Sequence, residues 1–323
     1  MTQTNINLKA KVFQNQATYI QSVLSLAIEY NDKNTVEILL DEVDHCPNIC
    51  NETLLSAIEY NDFDIIAYIL EKKVLSDQAI IDSFIVAARS SDKKTIECFM
   101  NQDCISINTQ DDNGRTVLHS AISNSKEVFE YIYSYKDMDP NIKDKNGDTP
   151  LHIGLMCPSN NINIMTLLDD RTLDLNTTNN SGNTPIANSI AYLHKYPDLI
   201  DKLISRGADF NALDTEGSYA PTLLMESCDY DRVDIVKKLL TIKTLDVNYE
   251  TKDGNSALSI AFKRKNSEII ELLINHQNIK TKLGTLAKIR MFFTPWSMKT
   301  KALKKYEDNQ ASQKLDTLLR GEK

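Results

Sequence analysis

Hydrophobic positions along the chain fall into paired short stripes, each with the spacing of three to four residues that marks one face of a helix. In the stretch from Ser256, Leu258, Ala261 and Phe262 form a first stripe, and Ile269, Ile270, Leu272 and Leu273 form a second. A polar stretch carrying Asp and Gly precedes the pair and suits a tight turn. The same layout recurs. LAIEYNDKNTVEILL from Leu26 and SAIEYNDFDIIAYIL from Ser56 are near copies in a register of 30 residues, and AARSSDKKTIECFM from Ala87 keeps that spacing. Further on, Gly114, Gly147, Gly182, Gly217 and Gly254 follow one another at intervals of 33, 35, 35 and 37. Periods of this length mean stacked supersecondary units. One such unit cannot bury its own apolar face, so neighbours must stack to make a core. The pattern therefore predicts an all-α array of helix-turn-helix units with few long-range contacts.

Particular residues then carry a family resemblance. GRTVLHSA at Gly114, GDTPLHIG at Gly147 and GNTPIANS at Gly182 resemble the G-x-T-P-L-H-x-A core of ankyrin repeats. RGADFNAL at Arg206 is similar to the closing G-A-D-x-N-A of that family, with weaker echoes in LDLNTT at Leu173 and LDVNYE at Leu245. The resemblance runs from Gln21 to His276, about eight repeats at a period of roughly 33. It implies an all-α ankyrin-repeat solenoid with an N-terminal cap segment (1–20), the array (21–276) and a basic helical extension (277–323). The first three repeats lack the glycine turn. Extra residues at Ser218 to Pro221 and around Tyr196-Pro197 mark expected irregular loops.

The resemblance implies a structural role for His119 and His152, which would lock adjacent repeats. Thr116, Thr149 and Thr184 take the place of helix N-caps, with Pro150 and Pro185 at the first helical position. It also implies that two variable positions at the end of each first helix face the concave surface used for partners. They hold Glu29-Tyr30, Glu59-Tyr60, Arg89-Ser90, Ser123-Asn124, Met156-Cys157, Ala191-Tyr192, Asp229-Tyr230 and Lys263-Arg264. Four repeats thus place Tyr at one position (Tyr30, Tyr60, Tyr192, Tyr230), three of them after an acidic residue. Tyrosine joins a rigid apolar face to a hydroxyl, which suits an interface anchor. The competing account is that these rings cover neighbouring repeats or reflect duplication of the first two units. The turn tips at Lys143 to Asn146, Asp214 to Glu216 and Lys252-Asp253 form a second candidate contact set, or are plain solvated turns.

Composition narrows the function class. Hydrophobic residues make up 41% and charged residues 25%, as in ordinary soluble domains. No apolar run approaches the roughly 18 residues of a membrane span, and the N-terminus lacks a secretory h-region. Six cysteines spread over 323 residues read as free thiols in a reducing compartment, which places the chain in a cytoplasm. His45, Cys46 and Cys50 cluster, but a structural zinc site needs four ligands and no second close pair follows. Asp111 to Gly114 faintly resembles a calcium loop, yet Ile122 stands where the bidentate Glu belongs. No phosphate-binding or nucleophile-elbow string occurs. The expectation is a non-enzymatic module without cofactor, metal or small-molecule substrate.

The net charge of −9 is unevenly spread. From His276 onward there are eleven basic and four acidic residues, against 25 basic and 41 acidic before it. The acidic body argues against nucleic acid as partner. Residues 281–306 mix Lys and Arg with Leu, Ile, Met, Phe and the single Trp. That segment reads as a helical cap on the last repeat, with attachment to an anionic membrane surface as the alternative. An enzyme using the array as its substrate arm is a third reading, opposed by the few residues outside the array. Rich Asn, Ile and Lys usage with degenerate repeats is also similar in style to ankyrin effectors that intracellular bacteria deliver into host cells, which implies a host protein as partner and the host cytoplasm as location.

Overall fold

The computed structural model describes residues 18–43, 46–90, 92–156, 161–187, 193, 196–211 and 222–280. Helix α1 covers 18–29. It is followed by α2 (Lys33–Glu42), α3 (Pro47–Glu59), α4 (Phe63–Glu71), α5 (Asp77–Ser90), α6 (Lys93–Met100), α7 (Val117–Ala121), α8 (Lys126–Tyr133), α9 (Pro150–Met156) and α10 (Asn161–Leu167). Then come α11 (Pro197–Ser205), α12 (Leu223–Asp229), α13 (Val233–Leu239), α14 (Ala257–Arg264) and α15 (Ser267–Ile274). The described residues contain no strand beyond two isolated antiparallel bridges, Gln110 with Thr116 and Glu250 with Ser256. The expected all-α solenoid of helix pairs is what the chain forms.

The chain divides into two compact units, Met1–Asp174 and Leu175–Lys323. In the first, α3, α5, α7 and α9 pack in succession as one layer, and α2, α4, α6, α8 and α10 as a second. In the other, α12 packs on α14, while α11, α13 and α15 form the second layer. The core lies between the layers. Leu54, Ile65, Ile66, Phe84, Phe99, Phe129 and Leu151 are fully buried in the first unit, and Leu203, Ile235, Val236, Ala261, Ile269 and Leu273 in the second. Phe84 of α5 and Phe99 of α6 meet with ring centroids 5.7 Å apart, joining the two helices of one pair.

The turn inside each pair is a local consequence of sequence. In Tyr30-Asn31-Asp32, Asn31 adopts a left-handed φ of 56° and donates its N–H to Ile28 O, while Asp32 N–H reaches Ala27 O. This pair of bonds satisfies the last carbonyls of α1. Asp32 then turns outward and accepts Thr35 N–H, capping α2 at 3.2 Å. Tyr60-Asn61-Asp62 repeats the arrangement, with φ 55° at Asn61 and Asp62 capping Ile65. Asn tolerates this conformation better than most residues, and Asp is among the best N-caps.

Between pairs, short polar turns are held by side-chain to backbone bonds. Asp111 accepts the N–H of both Asn113 and Arg115 at 2.8 Å, and Gly114 N–H closes on Asp111 O. Gly114 has φ 76°, and a Cβ there would lie 2.9 Å from Lys145 N of the next turn. Close stacking and positive φ together require glycine. His119 is buried; its Nδ1 accepts the Thr116 N–H and hydroxyl, and its Nε2 donates to Asp148 O of the following turn at 3.0 Å. His152 makes the same bonds to Thr149. Both histidines therefore hold the scaffold.

A second cross-repeat lock escaped the sequence reading. Asn108 Nδ2 donates to Asp137 O and its Oδ1 accepts Asp139 N–H; Asn141 does the same with Thr172 and Asp174. In the second unit Asn176 bridges Gly207 and Asp209, Asn211 bridges Thr244 and Asp246, and Asn248 bridges Asn278 and Lys280. Each Asn stands six residues before a turn glycine and shares its 33, 35, 35 and 37 spacing. One amide thereby satisfies a donor and an acceptor of the neighbouring repeat.

Phe99→Ala should lower unfolding free energy by about 3–5 kcal/mol, as expected for truncating a buried aromatic, and urea denaturation would read it. Burial holds the His119 pKa below its ordinary value. A group with that shift stabilises the fold above about pH 6.5, where the unfolded chain is also neutral, and loses the contribution as pH falls. The stability gap between wild type and His119→Asn should therefore shrink from about pH 7.5 to about pH 5.5. Urea midpoints measured at the two pH values would show it.

Candidate partner-binding face

The first helices of each unit end at equivalent positions, and the cap geometry decides what they show. A helix C-cap needs only backbone bonds and a left-handed residue after it. At Tyr30 and Tyr60 those jobs fall to Asn31 and Asn61, so the ring itself is not used by the turn. Tyr30 is 77% exposed and Tyr60 52%. Neither phenol engages another described residue, and neither do the exposed side chains of Glu29 and Glu59. The covering role weighed for these rings is not what they do in this unit. Arg89 is likewise exposed and forms no ion pair with a described residue.

One turn earlier on the same helices lies a row, apolar at two of its three places, that the sequence reading passed over. Leu26 precedes Glu29 and Tyr30 by three and four residues and so shares their helix face. It is 52% exposed. Ser56 and Val86 hold the equivalent places in α3 and α5, and Val86 is also exposed. Met156, at the end of α9, is exposed too. The signal was present in the 30-residue register, since Leu26 and Val86 break the rule that apolar residues point inward.

The second unit uses the same position differently. Asp229 and Tyr230 end α12, and Tyr230 is 52% exposed. Arg264, at the end of α14, donates Nε and Nη2 to the two oxygens of Asp229 at 2.8 and 2.7 Å. The hydrogen bonds from Arg264 hold the Asp229 carboxyl below its usual range, and the Arg264 pKa rises in turn. These two candidate contact residues are thus brought together into an ion pair between neighbouring first helices. Lys263 and Lys265 beside them are exposed. Tyr192 lies outside the described residues, as do Ala191 and Cys157.

In the turn tips one side chain, that of Asp144, is engaged in holding the turn itself. Asp144 accepts the N–H of Asn146 and Asp148, leaving Lys143, Lys145 and Asn146 at the surface. Lys252 and Asp253 are exposed, and Asp214 to Glu216 fall outside the described residues. Among the described residues no group of three His, Cys, Asp or Glu side chains is placed to hold a metal ion, and no helix is long and apolar enough to cross a membrane. His45 and the basic segment 281–323 lie outside the described residues. The buried thiol of Cys228 is pushed up to about 12 by burial, which makes it a poor nucleophile.

An open pocket of about 450 Å³ lies elsewhere, on the second-helix layer of the second unit, beside Leu240, Glu268, Leu272 and His276. It does not coincide with the tyrosines. Glu271 and Asn275 complete its lining.

A family model for ankyrin repeats (three copies) matches residues 81–144 and 188–283. Those stretches contain the Thr116–His119 lock and Asn108, Asn141, Asn211 and Asn248 of the ladder. The matched stretches and the same paired architecture on either side of them place this chain in the ankyrin-repeat family.

Proposed function

We propose that this chain, which carries the scaffold of ankyrin repeats, generally protein–protein interaction modules, binds a partner protein through the ends of its first helices, at Glu29, Tyr30, Glu59, Tyr60 and Arg89 in the first unit and at Tyr230, Lys263 and the Asp229–Arg264 pair in the second. The observation that carries this reading is the exposure of Tyr30 and Tyr60 at turns that use their backbone N–H groups but not their rings. A large aromatic left in water at a position the fold does not need is a natural anchor for an interface. Its burial in a complex would remove apolar surface from water at about 25 cal/mol per Å².

The two units offer different chemistry. Unpaired carboxylates flank the rings in the first, whereas Arg264 already neutralises Asp229 in the second and leaves Lys263 and Lys265 in excess. A partner with a basic, apolar-studded segment fits the first unit.

Because the tyrosines contribute little to the caps, Tyr30→Ala/Tyr60→Ala/Tyr230→Ala should keep the wild-type circular dichroism and thermal midpoint. The same protein should lose its partner in affinity capture from eukaryotic lysate, with single substitutions costing about 1–2 kcal/mol each in binding. Retention of the partner at full affinity would remove this face as the binding site.

A further inference from the structure

Acidic and apolar surface is concentrated on the first two helix pairs. Between Thr18 and Glu71, which span α1 to α4, there are eleven acidic residues and one basic residue. Glu29, Glu42, Glu52 and Glu59 are exposed there, and none forms an ion pair with a described residue. Of the ten large apolar side chains exposed among the described residues, six lie in the same stretch, Tyr19 at 71% and Tyr30 at 77% the most open. A run of carboxylates alone would serve solubility. Rings and aliphatic chains left in water among them do the opposite, and mark a surface that another group covers. Its ligand must be basic and bring apolar groups of its own.

The same chain contains a segment of that kind. Residues 281–306 hold seven basic residues and no acidic one, together with Leu286, Ile289, Phe292, Phe293 and Trp296. The segment follows Lys280, whose N–H donates to Asn248 Oδ1 in the last rung of the Asn ladder. It therefore leaves the array at the pair α14–α15, whereas its complement lies on α1 to α4. Helix packing runs between neighbouring pairs of the series. Within one molecule, docking would carry the segment back past every intervening pair. Between two molecules it asks nothing of the fold.

We infer that segment 281–306 of one molecule docks on the first two helix pairs of a second copy, its cations at Glu29 and Glu59 and its apolar residues on Leu26, Tyr30 and Tyr60. This rests on the reading of the first-helix ends of the first unit as a binding surface. The contact is head-to-tail, since segment and surface are different parts of the chain. Each bound molecule keeps one of the two available for a further copy.

The test is sedimentation velocity on the full chain over a concentration series, with emission of the single tryptophan, Trp296, recorded in parallel. Mass should rise with concentration, and Trp296 emission should move to the blue as the segment leaves water. Added salt should weaken the association. Glu29→Lys/Glu59→Lys and Lys288→Glu/Arg290→Glu should each raise the dissociation constant about tenfold, with circular dichroism unchanged. An equimolar mixture of the two variants should associate again, because the basic segment of the first meets the acidic surface of the second. Only a contact between molecules can be restored by mixing. The inference is overturned by a single-chain mass at every concentration, by association indifferent to these substitutions, or by a mixture that stays dissociated. Partner capture that still depends on Tyr30 and Tyr60 would then keep the surface and remove the segment as its ligand. Capture indifferent to the tyrosines would remove the surface as well.

Discussion

Two helices of two or three turns cannot bury their own apolar sides, and every other feature of this chain follows from that constraint. Burial requires a neighbour, and a neighbour brings backbone turns close enough that their polar groups lose water. Those groups must then be paired. The side chains of Asn108, Asn141, Asn176, Asn211 and Asn248 meet this need with one amide each, donating to one backbone group and accepting from another in the next repeat. His119 performs a similar service with a buried imidazole kept neutral, since its two bonds require one nitrogen to accept and the other to donate. Leaving such a group unpaired costs about 1–3 kcal/mol, whereas a made bond contributes about 1. The ladder therefore specifies register more than it supplies stability.

The period, the paired helices and the family were legible because they repeat. A pattern seen once is weak, but Ala27, Ala57 and Ala87 in one register, followed by five glycines at matched intervals, leave little freedom for another fold. The Thr116–His119 and Thr149–His152 locks were legible through the resemblance. The Asn ladder was not read as such, although its spacing lay in plain view beside the glycines. Its partners are backbone atoms of residues about thirty positions away, and backbone groups leave no trace in a sequence. The Asp229–Arg264 pair was hidden for a related reason, because the two residues were weighed each against solvent and not against one another.

The tyrosines show where sequence pattern stops distinguishing causes. Tyr-Asn-Asp occurs twice, and duplication alone could account for the identity. The structure separates the three residues by task. Asn31 and Asn61 supply left-handed turns, and Asp32 and Asp62 cap the following helices. The preceding position demands only a helical backbone, as Ser90 in the third copy illustrates. Exposure of the ring thus has no origin in the turn.

The same position, used in two ways, indicates how such a face diversifies. At Asp229 and Arg264 the end groups of adjacent first helices pair with each other, and an exposed pair of this kind, screened by solvent, adds little to stability. Glu29 and Glu59, exposed at the equivalent positions of the first unit, form no ion pair with a described residue. Neither choice affects the core, because Ile28, Ala57 and Ile58 beneath them stay buried in either case. A scaffold whose contacts run only between neighbours leaves these end positions energetically cheap to change. Charge and aromatic content there are free to vary, and the fold tolerates whichever pattern results.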